Sequence, residues 1–316
     1  MTNYHLGIDL GGTNIAAGVV DDEGNLLSKV QNPTNRVRSY SEIAVDMIKT
    51  GEAAANKLAL SLSDFSEIGI GTPGRETNGN IRYSNSLCWE NVPLRDSLQQ
   101  YYSGRVRIRN DGECALVGEV LFGGAKGYKN VVMVTLGTGV GSSVLLDGKI
   151  FAGGDSFGSE LGHASINPKG RLCSCGKRGC MEAHSSATAL KAITIEAAKM
   201  NHCSEIWKIC EGNLEKIDGQ TAFLARERGD STATEVVEEY IDYLGYGLSA
   251  FATIFRPEII LLGGGISNEG VWLMERLNEL VKKLTYSAKQ IGAPRVAMAS
   301  LGNNAGIIGA ALQHKI

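Results

Sequence analysis

The 316-residue sequence has no long apolar segment, no block of like charge and no low-complexity tract. Its longest apolar runs, such as IILL at 259–262, are far shorter than the roughly 18 residues that a membrane-spanning helix needs. The N-terminus lacks the charged-then-apolar pattern of a secretory signal. The formal net charge of −3 gives no electrostatic footprint for nucleic acid. These absences predict a soluble cytoplasmic protein that binds neither a membrane nor nucleic acid.

The cysteines are too clustered for a disulfide framework, and their number, seven, is odd. Three of them, Cys173, Cys175 and Cys180, have C-x-C-x4-C spacing, and His163 lies ten residues before the first. Three thiolates and one imidazole fill the four positions of a tetrahedral Zn²⁺. Since no position stays open, such an ion holds a loop and does no chemistry. The sequence therefore predicts a structural zinc loop.

Acidic residues flank this predicted zinc loop on both sides. Glu160 lies three residues before His163, and Glu182 lies two residues after Cys180. Carboxylates accept hydrogen bonds from hydroxyl groups. A zinc-stiffened loop with carboxylates at its margins predicts a rigid pocket for a ligand that is rich in hydroxyls.

Two segments about 126 residues apart resemble each other. Each of 7–25 and 133–149 reads as an apolar strand, a Gly/Thr-rich turn, a second strand and a polar turn. They predict two β-hairpins of one design, and so two similar domains that arose by duplication. Gly-Thr turns also occur in many unrelated hairpins, so this reading stays open to the simpler explanation.

Long helical patterns alternate with short apolar strands. Residues 39–62 carry a helical apolar stripe with a capping box at Ser39 and Glu42. Residues 233–255 carry a second stripe, which stops before a proline, and EIILLGGG then predicts a buried strand. This alternation predicts an α/β fold in which helices cover mixed or parallel sheets.

Three glycine-rich turns follow predicted strands and offer backbone N–H groups to phosphate oxygens. The candidate residues are Gly11, Gly12, Thr13, Asn14, Gly137, Thr138, Gly139, Gly141, Gly263, Gly264 and Gly265. Asp9, at the end of the first strand, is a candidate Mg²⁺ ligand through water. Neither the P-loop motif nor the dinucleotide fingerprint is present. A tight hairpin explains each turn alone, but all three together with Asp9 favour a nucleotide site.

These turns, in this order, resemble the actin/hexokinase/sugar-kinase ATPase superfamily, and the zinc segment resembles its ROK family of bacterial sugar kinases and repressors. The resemblance covers nearly the whole chain. The segments that carry it are IDLGGTN (8–14), GIGTPG (69–74), SNSLCWENVPL (84–94), RND (109–111), LGTGVG (136–141), GSELGH (158–163), CSCGKRGCMEA (173–183), PEIILLGGG (257–265) and LGNNAGIIGAA (301–311).

The resemblance implies two ribonuclease-H-like α/β domains of the actin/hexokinase type that flank a cleft. We expect a small domain over residues 1–117, joined by a C-terminal helix at 304–316. A large domain with the zinc loop is expected over 118–303. The family also implies a homodimer.

The resemblance further implies ATP, Mg²⁺ and a structural Zn²⁺, with a hexose as substrate. Asp111 matches the family's general base, a role that contributes about 10²–10⁴-fold to proton transfer. The implied sugar ligands are Asn85, Asn110, Asp111, Glu160, His163 and Glu182. His163 would bind zinc with one ring nitrogen and face the sugar with the other.

Two positions depart from the family pattern. Glu113 adds a carboxylate two residues after Asp111, where small or Asn-rich residues are usual. A negative charge is tolerable at a helix N-terminus, so the base assignment is unchanged. His184 stands where an aromatic Tyr is common. Contact with the substrate is one alternative for this residue, and we expect it on the surface.

The predicted function is ATP-dependent phosphorylation of a hexose at its 6-hydroxyl, with glucose as the leading substrate. Kinases of N-acetylmannosamine, N-acetylglucosamine, fructose or allose in the same family are alternatives, and polyphosphate in place of ATP is left open. A non-catalytic, sugar-sensing regulator is the alternative from another class. Such repressors carry an N-terminal DNA-binding domain, for which we expect no room because the first glycine turn begins near residue 9.

Overall fold

The computed structural model describes residues 3–316, and its strands form three sheets. In chain order the strands are β1 Tyr4–Leu10, β2 Asn14–Asp21, β3 Leu26–Pro33, β4 Glu67–Thr72, β5 Arg75–Thr77, β6 Asn80–Ser84, β7 Trp89–Val92, β8 Arg105–Asn110, β9 Val131–Leu136, β10 Val140–Leu146, β11 Lys149–Ile150, β12 Ile259–Gly263 and β13 Arg295–Met298.

Helices follow or cover these strands through most of the chain. In chain order they are α1 Tyr40–Asn56, α2 Leu94–Gln99, α3 Asp111–Phe122, α4 Met181–Ser185, α5 Ala187–Met200, α6 Glu205–Ile209, α7 Thr221–Glu227, α8 Ser231–Phe255, α9 Gly270–Leu284, α10 Ala288–Ile291 and α11 Ala305–Leu312. Short 3₁₀ turns lie at Leu62–Asp64, Leu161–His163, Leu214–Lys216, Gly265–Glu269, Gly302–Asn304 and Gln313–Lys315. The predicted α/β class is confirmed.

The two five-stranded sheets have the same strand order. The first runs β3-β2-β1-β4-β8 and the second runs β11-β10-β9-β12-β13. In each sheet, two consecutive strands joined by a glycine-rich turn lie side by side, and two later strands add in parallel to the first of them. The predicted pair of matching hairpins is thus confirmed, and the resemblance extends to the whole sheets. The remaining sheet, β5-β6-β7, is small.

Local sequence signals account for the two longest predicted helices. Ser39 caps α1, and the reciprocal capping-box bonds with Glu42 are both present. The helix ends at Asn56, short of the predicted residue 62, and a 3₁₀ turn follows. α8 ends where Arg256 takes a left-handed conformation immediately before Pro257, as its sequence predicts.

Contacts between residues group the chain into two units. The first comprises the chain up to Lys129 together with Ser143–Ser159 and Ala299–Ile316, and the second comprises Asn130–Ser142 and Glu160–Met298. The predicted domain boundaries at 117/118 and 303/304 stay a prediction. Within residues 3–316, no helix combines the length and the apolar character needed to cross a membrane.

In the first unit, α11 packs against α3, β1 and β4 through glycines that allow a close approach of the backbones. A Cβ on Gly69 would lie 1.7 Å from the carbonyl oxygen of Ala310, and one on Gly309 would lie 1.7 Å from that of Cys114. Any side chain at these positions would push the helix away from the sheet. The C-terminal helix therefore closes the core beneath the strand ends.

We expect Gly69→Ala to lower the free energy of unfolding by about 3 kcal/mol or more, because the new methyl group overlaps backbone atoms that have no room to move. Urea unfolding followed by circular dichroism measures the change. Gly154→Ala is the matched control, since its Cβ would meet nothing within 4 Å. Equal stability of the two variants would contradict this packing.

Candidate functional site

Three parallel strands of the first sheet, β1, β4 and β8, have their carboxyl ends on the same side of the sheet. In their register Asp9 lies opposite Gly71, and Thr72 lies opposite Asn110. The residues that end β1, β4 and β8 are therefore neighbours. In open α/β sheets ligands bind outside the carboxyl ends of the strands, which makes this edge the candidate site of the first unit.

Asn110 and Asp111 connect β8 to α3. Asn110 is the N-cap of the helix, and its Oδ1 accepts hydrogen bonds from the backbone N–H groups of Gly112 at 3.0 Å and Glu113 at 3.3 Å. Its Nδ2 donates to the carbonyl oxygen of Gly74 at 3.0 Å. These bonds hold Asn110 and so fix the start of the helix that begins with Asp111. The second hydrogen on Nδ2 keeps donor capacity for a ligand.

The carboxylate of Asp9 is buried, and few positive charges of the protein compensate its negative charge. Burial, and then the charge of Asp111, raise the pKa of Asp9 to about 7, although Lys29 opposes the shift. Its Oδ2 faces the N-terminus of α11, where a Cβ on Gly306 would lie 2.5 Å from it. A buried carboxylate with little compensating charge, such as that of Asp9, is the donor chemistry that Mg²⁺ prefers. The residues present at this edge therefore fit the ion.

Glu113 is buried and paired, which the sequence left open. Its Oε1 accepts a hydrogen bond from Nη1 of Arg75 at 3.0 Å, and the two side chains are 10% and 6% exposed. Burial raises the pKa of Glu113, while Arg75 and then Arg109 lower it. The pair lies beside a cavity of about 240 Å³ that Asn110 also lines.

The first glycine turn, Gly11 to Asn14, is held by its own backbone and by Thr34. The N–H of Gly11 donates to the carbonyl oxygen of Asn14 at 2.8 Å, and the hydroxyl of Thr34 donates to that of Gly11 at 2.7 Å. Because this turn joins β1 to β2, it lies next to Asp9 along the chain.

The second and third glycine turns lie against each other in the second unit. The N–H of Gly137 donates to the carbonyl oxygen of Gly139 at 3.0 Å, which closes the turn between β9 and β10. Gly264 has φ +88°, and a Cβ there would lie 2.3 Å from the carbonyl oxygen of Leu136. The sequence therefore brings two of its three predicted phosphate turns together.

The four predicted zinc ligands converge. The ligand atoms of His163, Cys173, Cys175 and Cys180 all lie within 4.8 Å of one another. Nδ1 of His163 is 3.6 Å from Sγ of Cys173, and the thiols of Cys175 and Cys180 are 3.6 Å apart. A tetrahedral zinc with bonds of about 2.0–2.3 Å needs separations of about 3.5–3.8 Å. The donor set and its spacing therefore fit Zn²⁺.

Glu182 joins the zinc loop to the second glycine turn. Its Oε2 accepts from the N–H of Val140 at 3.1 Å, and its Oε1 accepts from the hydroxyl of Ser174 at 2.9 Å. A carboxylate has further lone pairs, so both oxygens keep capacity for a ligand. The residue predicted as a sugar ligand thus also links the cysteine loop to the turn after β9.

Glu160 and His163 bracket a 3₁₀ turn that is held against β10. The N–H of Leu161 donates to the hydroxyl of Ser142 at 2.8 Å, and a Cβ on Gly162 would lie 2.1 Å from the carbonyl oxygen of Val140. Since Nδ1 of His163 faces Cys173, its Nε2 points away from the cysteines. The predicted contact of Nε2 with the sugar stays a prediction.

The expected surface position of His184 is wrong. The ring is 3% exposed, stacks on Tyr243 with centroids 4.1 Å apart, and accepts the N–H of Arg171 on Nε2 at 3.2 Å. Burial, and then the charge of Arg171, lower its pKa. Through its bond with Arg171 the side chain supports the zinc loop. Its burial depends on Tyr243, which lies 59 residues further along the chain.

Asn85 lies in the exposed turn between β6 and β7, on the first unit, while Trp89 is buried in its core.

Sequence reasoning missed Arg75, Ser174 and Glu119. Glu119 is fully buried, and its carboxylate accepts the N–H groups of Gly124, Ser300 and Leu301 at 2.7–3.0 Å. A single charge within the apolar stretch ALVGEVLF was the signal for this last residue.

Comparison with known proteins agrees with this arrangement. A model of the ROK family matches residues 5–315. The chain belongs to the ROK family. The chain aligns over nearly its whole length with sugar kinases of this family. It is 36% identical to the glucokinase of Thermotoga maritima over 312 residues, which are 97% of this chain and 95% of that protein. It is 28% identical to the N-acetyl-D-glucosamine kinase of Pectobacterium atrosepticum, over 98% of both chains.

A solved ROK structure has the same fold. The ROK family glucokinase of Streptomyces griseus, in complex with glucose and AMPPNP, matches with a TM-score of 0.82 at 30% identity, over 98% of each chain. The predicted fold class, an α/β protein of the ribonuclease-H-like actin/hexokinase type, is confirmed.

Proposed function

We propose that this ROK protein transfers the γ-phosphoryl group of ATP to the 6-hydroxyl of a hexose, with glucose as the preferred sugar. The observation that carries the proposal lies at the carboxyl ends of the parallel strands in the first unit. There Asp111 begins α3 beside Asn110, and the charge of Asp111 acts on Asp9. A carboxylate for the hydroxyl proton and a carboxylate for a divalent cation are the two groups that phosphoryl transfer needs there.

Asp111 acts as the general base. As the 6-hydroxyl gives its proton to the carboxylate, its oxygen forms a bond to the γ-phosphorus. The bond between that phosphorus and the β,γ-bridging oxygen breaks, and ADP leaves with the electron pair. Because Asn110 caps the helix through Oδ1, the base stays at a fixed position while the proton moves.

The glycine turns at 11–14, 137–141 and 263–265 hold the nucleotide through backbone N–H groups, to which Thr13 and Thr138 add hydroxyls. Asp9 would hold Mg²⁺ through water. When bound, this ion neutralises charge that develops on the β- and γ-phosphates. Two of the turns already lie against each other, which supports a shared nucleotide site.

The proposed sugar ligands are Asn85, Asn110, Asp111, Glu160, His163 and Glu182. Zinc, when bound, fixes the tautomer and orientation of His163. The contact of Glu182 with Ser174 and Val140 supports this role, because it makes the carboxylate rigid. The chain's relation to a glucokinase at 36% identity favours glucose over N-acetylglucosamine, whose kinase is 28% identical.

We also propose a cytoplasmic homodimer. Its seven cysteines, all within the described residues, form no disulfide, in keeping with a reducing compartment. Tyr246 and Ile254, eight residues apart on α8, are 56% and 70% exposed, and a partner subunit would cover them.

Nuclear magnetic resonance of the product tests the proposal. With ATP, Mg²⁺ and glucose, the product should show phosphorus coupling to the two protons on carbon 6. Coupling to the proton on carbon 1 would assign the reaction to another hydroxyl. ATP hydrolysis without any sugar phosphate would refute the kinase function.

A further inference from the structure

The first turn of α3 carries two carboxylates, Asp111 and Glu113, and only the first has a part in the proposed reaction. Glu113 is buried, and Arg75 meets it in an ion pair of 3.0 Å that is itself almost fully enclosed. A buried carboxylate is costly unless a partner and hydrogen bonds compensate it. Because Glu113 lies two residues from the proposed base, we expect this costly buried ion pair to have a function there.

The guanidinium of Arg75 joins two parts of the first unit. Its Nη1 donates to Glu113, and its Nη2 donates to the carbonyl oxygen of Gly158 at 2.8 Å. Gly158 lies two residues before Glu160 in the sequence. Arg75 thus connects the helix that begins with Asp111 to the segment that leads into the first proposed sugar carboxylate.

A second bond ties the start of α3 to the segment that carries Arg75. Nδ2 of Asn110 donates to the carbonyl oxygen of Gly74, the residue before Arg75. The first turn of α3 is therefore fixed to residues 74–75 at two points, one on each side of Asp111. Two such restraints set both the position and the tilt of the turn, which one bond would leave free to rotate.

We propose that Arg75 and Glu113 are positioning residues that hold the first turn of α3 and balance the charge beside Asp111. This inference rests on the proposed function of Asp111. Neither residue transfers the proton, so the pair acts through Asp111. The ion pair fixes the location of Asp111, and the opposite charges of Arg75 and Glu113 cancel each other near its carboxylate.

Opposite single changes separate this role from a structural one. Arg75→Gln leaves the negative charge of Glu113 unbalanced near Asp111, which favours the protonated base. Glu113→Gln leaves the positive charge of Arg75, which favours the ionised base. The other charged groups of this cluster are Asp9 on β1, whose charge interacts with Asp111, Lys29 on β3, which acts on Asp9, and Arg109 on β8, which acts on Glu113. All three are the same in every variant.

The experiment measures kcat and KM for glucose between pH 5 and 9 in the wild type, R75Q, E113Q and the double variant, with thermal unfolding of each. We expect the acid limb of kcat/KM to move up by about 0.5 pH unit or more in R75Q and down by a similar amount in E113Q. It should return to the wild-type position in the double variant. In both single variants kcat should fall about 10-fold, with KM for glucose little changed.

Arg75→Lys serves if R75Q does not fold, because it keeps the charge and shortens the reach to Gly158. It should keep the wild-type acid limb while kcat falls. Arg82→Gln, at an exposed position of β6, is the control and should leave both unchanged.

Shifts of the same sign in both single variants, or a limb that moves in R75K, would overturn the proposal. So would a rise in KM at constant kcat, because the pair would then contact the sugar directly. An inactive wild type would instead refute the proposed function, and this proposal with it.

Discussion

Replacing Asp111 with asparagine should lower kcat by at least about 10²-fold, while the chain stays folded and still binds glucose. The amide lacks the basicity to take the proton from the 6-hydroxyl. It is nearly the same size as the carboxylate, and its Oδ1 still accepts the N–H of Gly112, which the Asp111 side chain accepts at 2.9 Å. Initial rates of ADP release give kcat, and titration calorimetry gives the affinity for glucose.

Asp96→Asn is the matched control, since Asp96 also lies in the first turn of a helix, α2, but is exposed and away from the strand edge. It should keep the wild-type turnover. Near-normal kcat in Asp111→Asn would remove Asp111 as the base, whereas loss of glucose binding in that variant would assign it to the sugar contacts instead.

Removal of zinc should lower kcat/KM for the sugar by about 10²-fold, because displacement of a binding group by about 1 Å costs that much. The loop from His163 to Cys180 has little other structure. Its described backbone pairing consists of isolated bridges at Ser165–Cys180 and Leu172–Arg178 and a few turn bonds. Glu182, two residues past the last cysteine, would lose its support from Ser174.

Metal analysis and kinetics of Cys175→Ser measure this effect. Cys175 is the most exposed of the three cysteine ligands, so its substitution disturbs packing least. The wild type should carry one zinc per chain, and the variant should carry much less. Cys203→Ser, at an exposed cysteine outside the cluster, should change neither metal content nor rate. Fully active wild-type protein without metal would refute a structural zinc.

Local patterns were sufficient where one segment determines its own structure. The capping box at Ser39 predicted the start of α1, and the C-x-C-x4-C spacing with His163 predicted the four converging ligands. The likeness of 7–25 to 133–149 predicted two hairpins, because a glycine-rich turn between apolar strands leaves few alternatives. The shared strand order of the two sheets extends that likeness.

Contacts between distant residues were not predictable in this way. Arg75 and Glu113 are 38 positions apart, and neither has a local pattern that names the other. His184 is polar and follows Glu182 and Ala183, which are both common on protein surfaces, yet Tyr243 covers its ring. Burial of such groups depends on which helices meet, which periodicity does not specify.

Initial rates of ADP release, with ATP and Mg²⁺ and a panel of sugars, test whether this protein is a glucose kinase. The panel comprises glucose, mannose, fructose, allose, N-acetylglucosamine and N-acetylmannosamine. We expect glucose to exceed the others by about 10²-fold in kcat/KM. A different leading sugar would correct the substrate alone. No sugar-dependent ADP release from protein that binds ATP and glucose would contradict the kinase function and favour the sugar-sensing alternative.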